Sequence, residues 1–251
     1  LAMKSIGGLE AFIKKGDRVL LKVNAAFASA PMLSATTHPD MVTALTRLCL
    51  EAGAASVIVT DNPINDPASC FRLTGIELAA RTAGATVVLP QKEFFKSYSL
   101  PQAQLIHNWP VFFNPLSRVD KIIGTAPVKD HHRSGASMIM KNWYGLLGGR
   151  RNIFHQDIHT IIQELAMMIR PTLVVLDGTT TMMHNGPTGG SLSDLKNTNT
   201  MIVSTDQVAA DAYGASLLDK TISDLAFIEK AEAVGMGTAD FKSLNPVMES
   251  I

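Results

Sequence analysis

The chain has 251 residues, 46% hydrophobic and 18% charged, enough for one large domain or two packed lobes with a real core. Its 22 basic and 22 acidic side chains cancel, so no basic face or acidic tail argues for nucleic acid as a partner. Runs such as "LVVL" and "VIV" are far too short to cross a bilayer, so no transmembrane segment is expected; two cysteines, Cys49 and Cys70, cannot by themselves ligate an iron–sulfur cluster. Leu1 stands where a start methionine would, which leads us to expect a processed or truncated chain with any targeting segment upstream.

In chain order, "DRVLLKV" predicts a strand over Asp17 to Val23. "HPDMVTALTRLCLEAGA" predicts a helix, with Met41, Leu45, Leu48 and Cys49 on one face and Gly53 as its stop. "ASVIVTD" (Ala55 to Asp61) is the next strand, "ASCFRLTGIELAARTAGA" is helical in part, and "TVVLP" makes a third strand. This order implies right-handed crossovers and a parallel sheet. Residues 91–117 differ: "FFKSYSLPQAQLIHNWPVFFNP" carries three prolines and a concentration of aromatics, which suggests an extended arm or hairpin and marks a candidate lobe boundary. "VDKIIGTAPV" resumes the strands, followed by a loop "KDHHRSGAS" and a short helix within Ser137 to Leu147. A stronger helix is expected from Asn152 until Pro171 stops it. "TLVVLDG" and "TMIVSTD" are further strands, and "VAADAYGASLLD" and "LAFIEKAEAVG" are closing helices. The fold expected over residues 1–251 is a single α/β domain: a mostly parallel sheet flanked by helices on both faces.

Ligands bind such sheets beyond the carboxyl ends of the strands. The residues found there are Lys22 and Asn24, Asp61 and Asn62, Lys129, His131 and His132, Asp177, and Asp206. Asp206 directly precedes a helical pattern and reads best as an N-cap, and Asp61 and Asn62 before Pro63 suit a turn as well as a site. Lys22, Lys129 and His131 have no such local explanation.

The stretch "KNWYGLLGGRRNIFHQDIH" collects Lys141, Asn142, Arg150, Arg151, His155 and His159. A helix starting near Ile153 would put His155 and His159 on one face, a spacing able to chelate a metal, with His131, His132 and Asp177 as candidates for the remaining ligands; a divalent metal is therefore a candidate cofactor. The twin arginines sit mid-chain before an amphipathic helix, which excludes an export signal at that position. "GLLGGRR" and "NGPTGGS" match neither a P-loop nor the dinucleotide fingerprint, yet such backbone can hold an anion, with Lys141, Arg150 and Arg151 supplying charge. No nucleophile elbow or paired-carboxylate motif occurs.

Taken in order, "KKGDRVLLKVN", "HPDMVTALTRLCLEAGAASVIVTDNP", "APVKDHH", "MKNWYGLLGGRR", "FHQDIH", "LVVLDGTTTMMHNGPTGGS" and "STDQVAADAYGASLL" resemble the bacterial and archaeal family called domain of unknown function 362 over essentially the whole chain. The resemblance implies characteristic positions at Lys22, Asn24, Asp61, Asn62, Lys129, His131, Lys141, Asn142, His155, Asp177, Asp206 and Asp211. It implies a further strand and helix upstream, of which "LAMKSIGG" would be the tail. It also implies redox-linked physiology: a ferredoxin-like partner, and a cytoplasmic protein or one exported through an upstream twin-arginine signal.

Three functional readings follow, the third being a structural lobe of a larger assembly. In the first, an enzyme acts on a small anionic metabolite held by Lys22, Lys129 and Lys141, with His131 and His155 as acid, base or metal ligands and Lys141 among the catalytic candidates. In the second, a non-catalytic binding module serves a redox partner through an apolar surface, for which "EFFKSYSL" and "WPVFF" are the candidate segments.

Overall fold

The structure, a computed structural model, describes residues 2–250; Leu1, on which the expectation of an upstream segment rests, lies outside the described residues. The elements begin with α1 (Ala2–Ser5), β1 (Arg18–Lys22), α2 (Pro39–Glu51), β2 (Ser56–Thr60), α3 (Pro67–Leu73), α4 (Ile76–Ala83) and β3 (Thr86–Val88). Local chemistry sets these bounds. His38 caps α2 by accepting the Asp40 N–H, and Pro39 at the first helical position presets its backbone. The helical pattern over residues 68–85 divides at Gly75, whose φ of 72° no L side chain adopts readily.

β4 (Phe95–Tyr98) and β5 (Trp109–Phe112) form a separate antiparallel hairpin, followed by α5 (Phe113–Leu116). Its aromatics pack inward: Phe95 stacks on the buried Phe112 at 5.0 Å and Trp109 meets Phe154 at 4.4 Å. None of the large exposed hydrophobics comes from residues 91–117, so neither "EFFKSYSL" nor "WPVFF" offers an open apolar patch.

The chain continues through β6 (Lys121–His131), β7 (Gly135–Ser137), α6 (Ile139–Asn142), α7 (Ile158–Met168), β8 (Leu173–Met182), β9 (Leu195–Ser204), α8 (Gln207–Leu217) and α9 (Ala226–Ala233). Three local expectations change. "KDH" belongs to β6 rather than to a loop, because β7 turns back and pairs with it. The helix expected near Ile153 begins at Ile158, the preceding Arg151–Asp157 being a 3₁₀ segment. β9 runs antiparallel to β8, since a loop and no crossover helix joins them.

The main sheet has the order β3-β2-β1-β6-β8-β9, parallel from β3 to β8. β1 pairs directly with β6, so the strands before and after residues 91–117 share one sheet. Each face has its own core. Leu173 and Val175 of β8 pack with Val42 and Leu45 of α2 and Ile76 of α4. Val174 and Leu176 join Ile161 and Leu165 of α7, Val208 of α8 and Phe227 of α9 on the other side. This is the period-two alternation of a strand covered on both faces. Among the described residues no helix is long and apolar enough to cross a membrane.

Trp143, fully buried, brings its six-membered ring against Gly124 of β6 and donates its indole N–H to Gln207 at 2.7 Å. A Cβ on Gly124 would sit 2.4 Å from the ring. Gly124→Ala is therefore expected to cost roughly 1–3 kcal/mol through overpacking, read as a lower urea midpoint; an unchanged midpoint would mean that the indole does not close on this strand.

Candidate functional site

Right-handed crossovers decide where the site forms. From β1 the chain crosses to β2 through α2 on one face; from β6 it crosses to β8 through α6 and α7 on the other. The carboxyl ends of β1 and β6, neighbours in the sheet, thus flank a topological switch point, where a crevice must open. β1 ends in Lys22 and β6 in Lys129 and His131.

Lys22 and Asp61 form an ion pair at 2.8 Å with both side chains almost wholly hidden. Lys22 Nζ also donates to the Val23 carbonyl at 2.6 Å and to Asn142 Oδ1 at 3.1 Å. Asp61 accepts the Ala25 N–H at 2.7 Å and the Asn62 N–H at 2.9 Å. Burial holds the lysine below its ordinary range, opposed by the Asp61 charge. Gly145 lies over the pair: a Cβ there would stand 1.9 Å from Asp61 Oδ1, so only glycine fits. The surrounding stretch is tied to the strand ends. Gly145 and Leu147 carbonyls receive the backbone and side-chain amides of Asn62. The Arg151 guanidinium donates to four carbonyls, those of Asn62, Pro63, Tyr144 and Leu147, at 2.7–3.0 Å.

Beneath this strap is a cavity of about 450 Å³. Lys129, Lys141, Arg151, His131 and His155 line it, and Asp61 is its one carboxylate among the described residues. Lys129 Nζ reaches the Ala35 carbonyl at 2.5 Å and the Pro187 carbonyl at 3.1 Å, and sits 5.1 Å from the Phe27 ring centre. Lys141 is different. Half-buried, it has no hydrogen-bond or ion-pair partner among the described residues, only the Tyr144 ring 5.3 Å away. Burial pushes both amines down to about 7; the Lys141 charge adds to the effect on Lys129, and that of Arg151 to the effect on Lys141.

The imidazoles are held as opposite tautomers. His131 Nδ1 accepts the N–H groups of Arg133 and Ser134 at 3.2 and 3.3 Å, so its hydrogen resides on Nε2. His155 Nδ1 lies 3.3 Å from the Asn152 carbonyl and 3.2 Å from the Tyr144 hydroxyl, which itself donates to the Arg151 carbonyl. Both oxygens accept from His155, so its Nδ1 carries the hydrogen and its Nε2 the lone pair. The rings stack at 6.0 Å. Burial, then the Lys141 charge, pushes His131 down to about 2 and lowers His155 as well, disfavouring the protonated form of both.

Residues 19–216 match the family described as Domain of unknown function (DUF362). The chain belongs to that family. It is similar to the thylakoid-associated protein sll1697 of Synechocystis sp., 25% identical over 252 residues that cover 97% of this chain and 74% of that protein. Among solved structures it is similar to the lactate racemase apoprotein from Thermoanaerobacterium thermosaccharolyticum, at 12% identity and a TM-score of 0.46. The alignment covers 86% of this chain, which thus spans about half (51%) of the racemase chain.

In this DUF362 chain the candidate residues Lys22, Asn24, Asp61, Asn62, Lys129, His131, Lys141, Asn142 and His155 gather at the cavity or directly behind it. Others expected there lie elsewhere. Asp177 faces the α2 side of the sheet, in a separate hollow of about 320 Å³ with His38 and Thr179, and its Oδ1 accepts the Thr179 N–H and hydroxyl. His159 stacks on Phe227 at 6.1 Å, because α7 starts too late to hold it on one helical face with His155. The ligand set His131, His155, His159 and Asp177 is thus not assembled, and among the described residues no three His, Cys, Asp or Glu side chains are grouped to hold a metal ion.

Arg150 is exposed, and its neighbour Arg151 takes the place at the cavity. Asp206 caps α8 through the Val208 and Ala209 amides and also binds the Thr238 N–H. Asp211, fully buried, accepts the N–H groups of Ile139 and Met140 at 2.8 and 3.0 Å and so anchors α6 from behind; burial pushes its carboxyl up to about 7. Phe27 and Tyr144 were not singled out by their sequence pattern, because an aromatic beside a lysine carries no periodic signal.

Asp61→Asn would leave Lys22 buried without its counter-charge. We expect a loss of about 3–5 kcal/mol in urea unfolding, with Lys22→Met in the same chain recovering much of it; equal stability of the single variant and the parent would dissolve the pair's structural role.

Proposed function

We propose that the protein binds a small anion, a carboxylate or phosphate ester, in the cavity at the β1–β6 switch point and acts on it with two fixed imidazoles. The charge balance carries this reading. Lys22, Lys129, Lys141 and Arg151 stand around one carboxylate, Asp61, and that carboxylate is already engaged by Lys22. The remaining cations repel one another at short range in a poorly solvated space. An anion relieves that repulsion, and the cavity's size falls within the about 300–1,000 Å³ common for small-molecule sites.

The imidazoles fit the role of proton handling. The His131 Nε2–H can hydrogen-bond an oxygen on which negative charge develops, and His155 Nε2 can take a proton. The order of the tautomers assigns each ring one task. A surface-docking module would need an open apolar segment, and the aromatics of residues 91–117 are partly covered, with Phe112 buried and Phe95 stacked on it.

Proton linkage gives the test. Burial brings Lys129 and Lys141 down to about 7, below their ordinary 10.5. Their contribution to folding stability therefore grows as pH rises through that window, since the unfolded chain holds more protons there. Anion binding draws both back to the charged form. Calorimetry with oxalate and with inorganic phosphate should then show binding that weakens between about pH 7 and about pH 9, with protons taken up from buffer. Lys129→Met should weaken binding about tenfold or more, each 1.4 kcal/mol of lost charge-assisted contact being a factor of ten. Affinity independent of pH and of Lys129 would overturn the reading.

A further inference from the structure

We infer that Lys141 is a covalent site: its amine condenses with the carbonyl carbon of a small oxo-acid, an aldehyde or ketone bearing a carboxylate, to form an imine within the cavity. The inference rests on the anion-binding reading of the same cavity and adds the chemical class of the ligand. Its support is the contrast among three lysines: Lys22 and Lys129, both buried, and the half-buried Lys141. Lys22 has Asp61, the Val23 carbonyl and Asn142 as acceptors, and Lys129 has the carbonyls of Ala35 and Pro187. The three acceptors of Lys22 match the hydrogens of a charged ammonium, and those of Lys129 take two of its three. Lys141 lines the cavity with no acceptor among the described residues and an aromatic face beside it. An ammonium so placed lacks protein acceptors for three hydrogens and a full charge, whereas a neutral amine loses less there and keeps its lone pair for attack.

The chemistry balances with groups on the page. The Lys141 lone pair forms the C–N bond while the carbonyl π pair moves to oxygen, where the His131 Nε2–H supports the developing charge by hydrogen bonding. A proton passes from nitrogen to His155 Nε2 and then to that oxygen, giving the neutral carbinolamine. Loss of the hydroxyl with the second nitrogen hydrogen releases one water and leaves C=N. No oxidant or reductant is consumed. Lys129, fixed at the wall, is left to hold the carboxylate. A lysine titrating near 7 carries on the order of a thousandfold more neutral amine at neutral pH than a surface lysine does.

The test treats the full chain with glyoxylate, and separately pyruvate, in the presence of cyanoborohydride, and maps carboxymethyl or carboxyethyl groups by mass spectrometry of the digest. Oxalate, which has the carboxylates but no electrophilic aldehyde or ketone, serves as competitor, and its own binding is measured in parallel by calorimetry. Modification of Lys141 about tenfold or more faster than of the surface lysines, suppressed by oxalate, is the expected result. Adducts scattered over surface lysines while oxalate still binds would overturn the imine and leave the anion site standing. Absence of both oxalate binding and selective modification would overturn the two together. Mapping on the unsubstituted chain keeps the outcome independent of how well Lys141→Met folds. That variant, where folded, should lose the selective adduct and keep the background.

Discussion

The ion pair between Lys22 and Asp61 is the interaction on which the rest of the site depends. Two charges removed from water are tolerable only when each finds its partner and every remaining hydrogen-bonding position is filled. Here the partners come from separate parts of the chain: the Val23 carbonyl and the Ala25 amide beyond β1, the Asn62 amide beyond β2, and Asn142 at the end of α6. Satisfying the pair therefore fixes the two strand ends and the strap over them in one arrangement. The approach is close enough that the chain needs glycine at position 145 to pass.

α6 shows how much depends on such outside support. Four residues make one turn, too short to be stable by its own hydrogen bonds. Its start is held by Asp211, reaching from the interior of α8 to two amides, and its end by Asn142, bonded to Lys22 and to the Thr125 carbonyl. Lys141 lies between these two anchors. Its backbone is located twice over, while its side chain has no partner among the described residues. An unpaired amine on an over-determined backbone is a costly arrangement for stability alone, and that asymmetry is what marks Lys141 out from Lys22.

The fold order was legible because β-branched runs and helical stripes alternate with few ambiguities, and the cavity residues were legible where a strand ended in a residue with no local reason to be there, as with Lys22, Lys129 and His131. What escaped was orientation. Asp177 sits at the same sheet edge, but residues 173 and 175 of its strand face α2, and the period of two carries Asp177 to that side, away from Lys129. His155 and His159 keep a helical spacing on paper, yet the helix begins at Ile158 and the rings part. Arg150 and Arg151 are indistinguishable by composition; the carbonyls of Asn62, Pro63, Tyr144 and Leu147 choose the second, and those carbonyls converge only in the folded chain.

The same dependence on backbone groups governs the imidazoles. A histidine in water exchanges tautomers freely, so its two nitrogens are interchangeable as donor and acceptor. His131 is denied that freedom by two amides that both need an acceptor, and His155 by oxygens that both need a donor. Burial disfavours the protonated form of both rings, so protonation works against neither tautomer. The cavity then presents one fixed donor and one fixed acceptor beside an amine, before any ligand arrives. For a reaction that builds negative charge on one atom while removing a proton from another, that polarity is already set by the backbone, and no rearrangement of the protein is needed to create it.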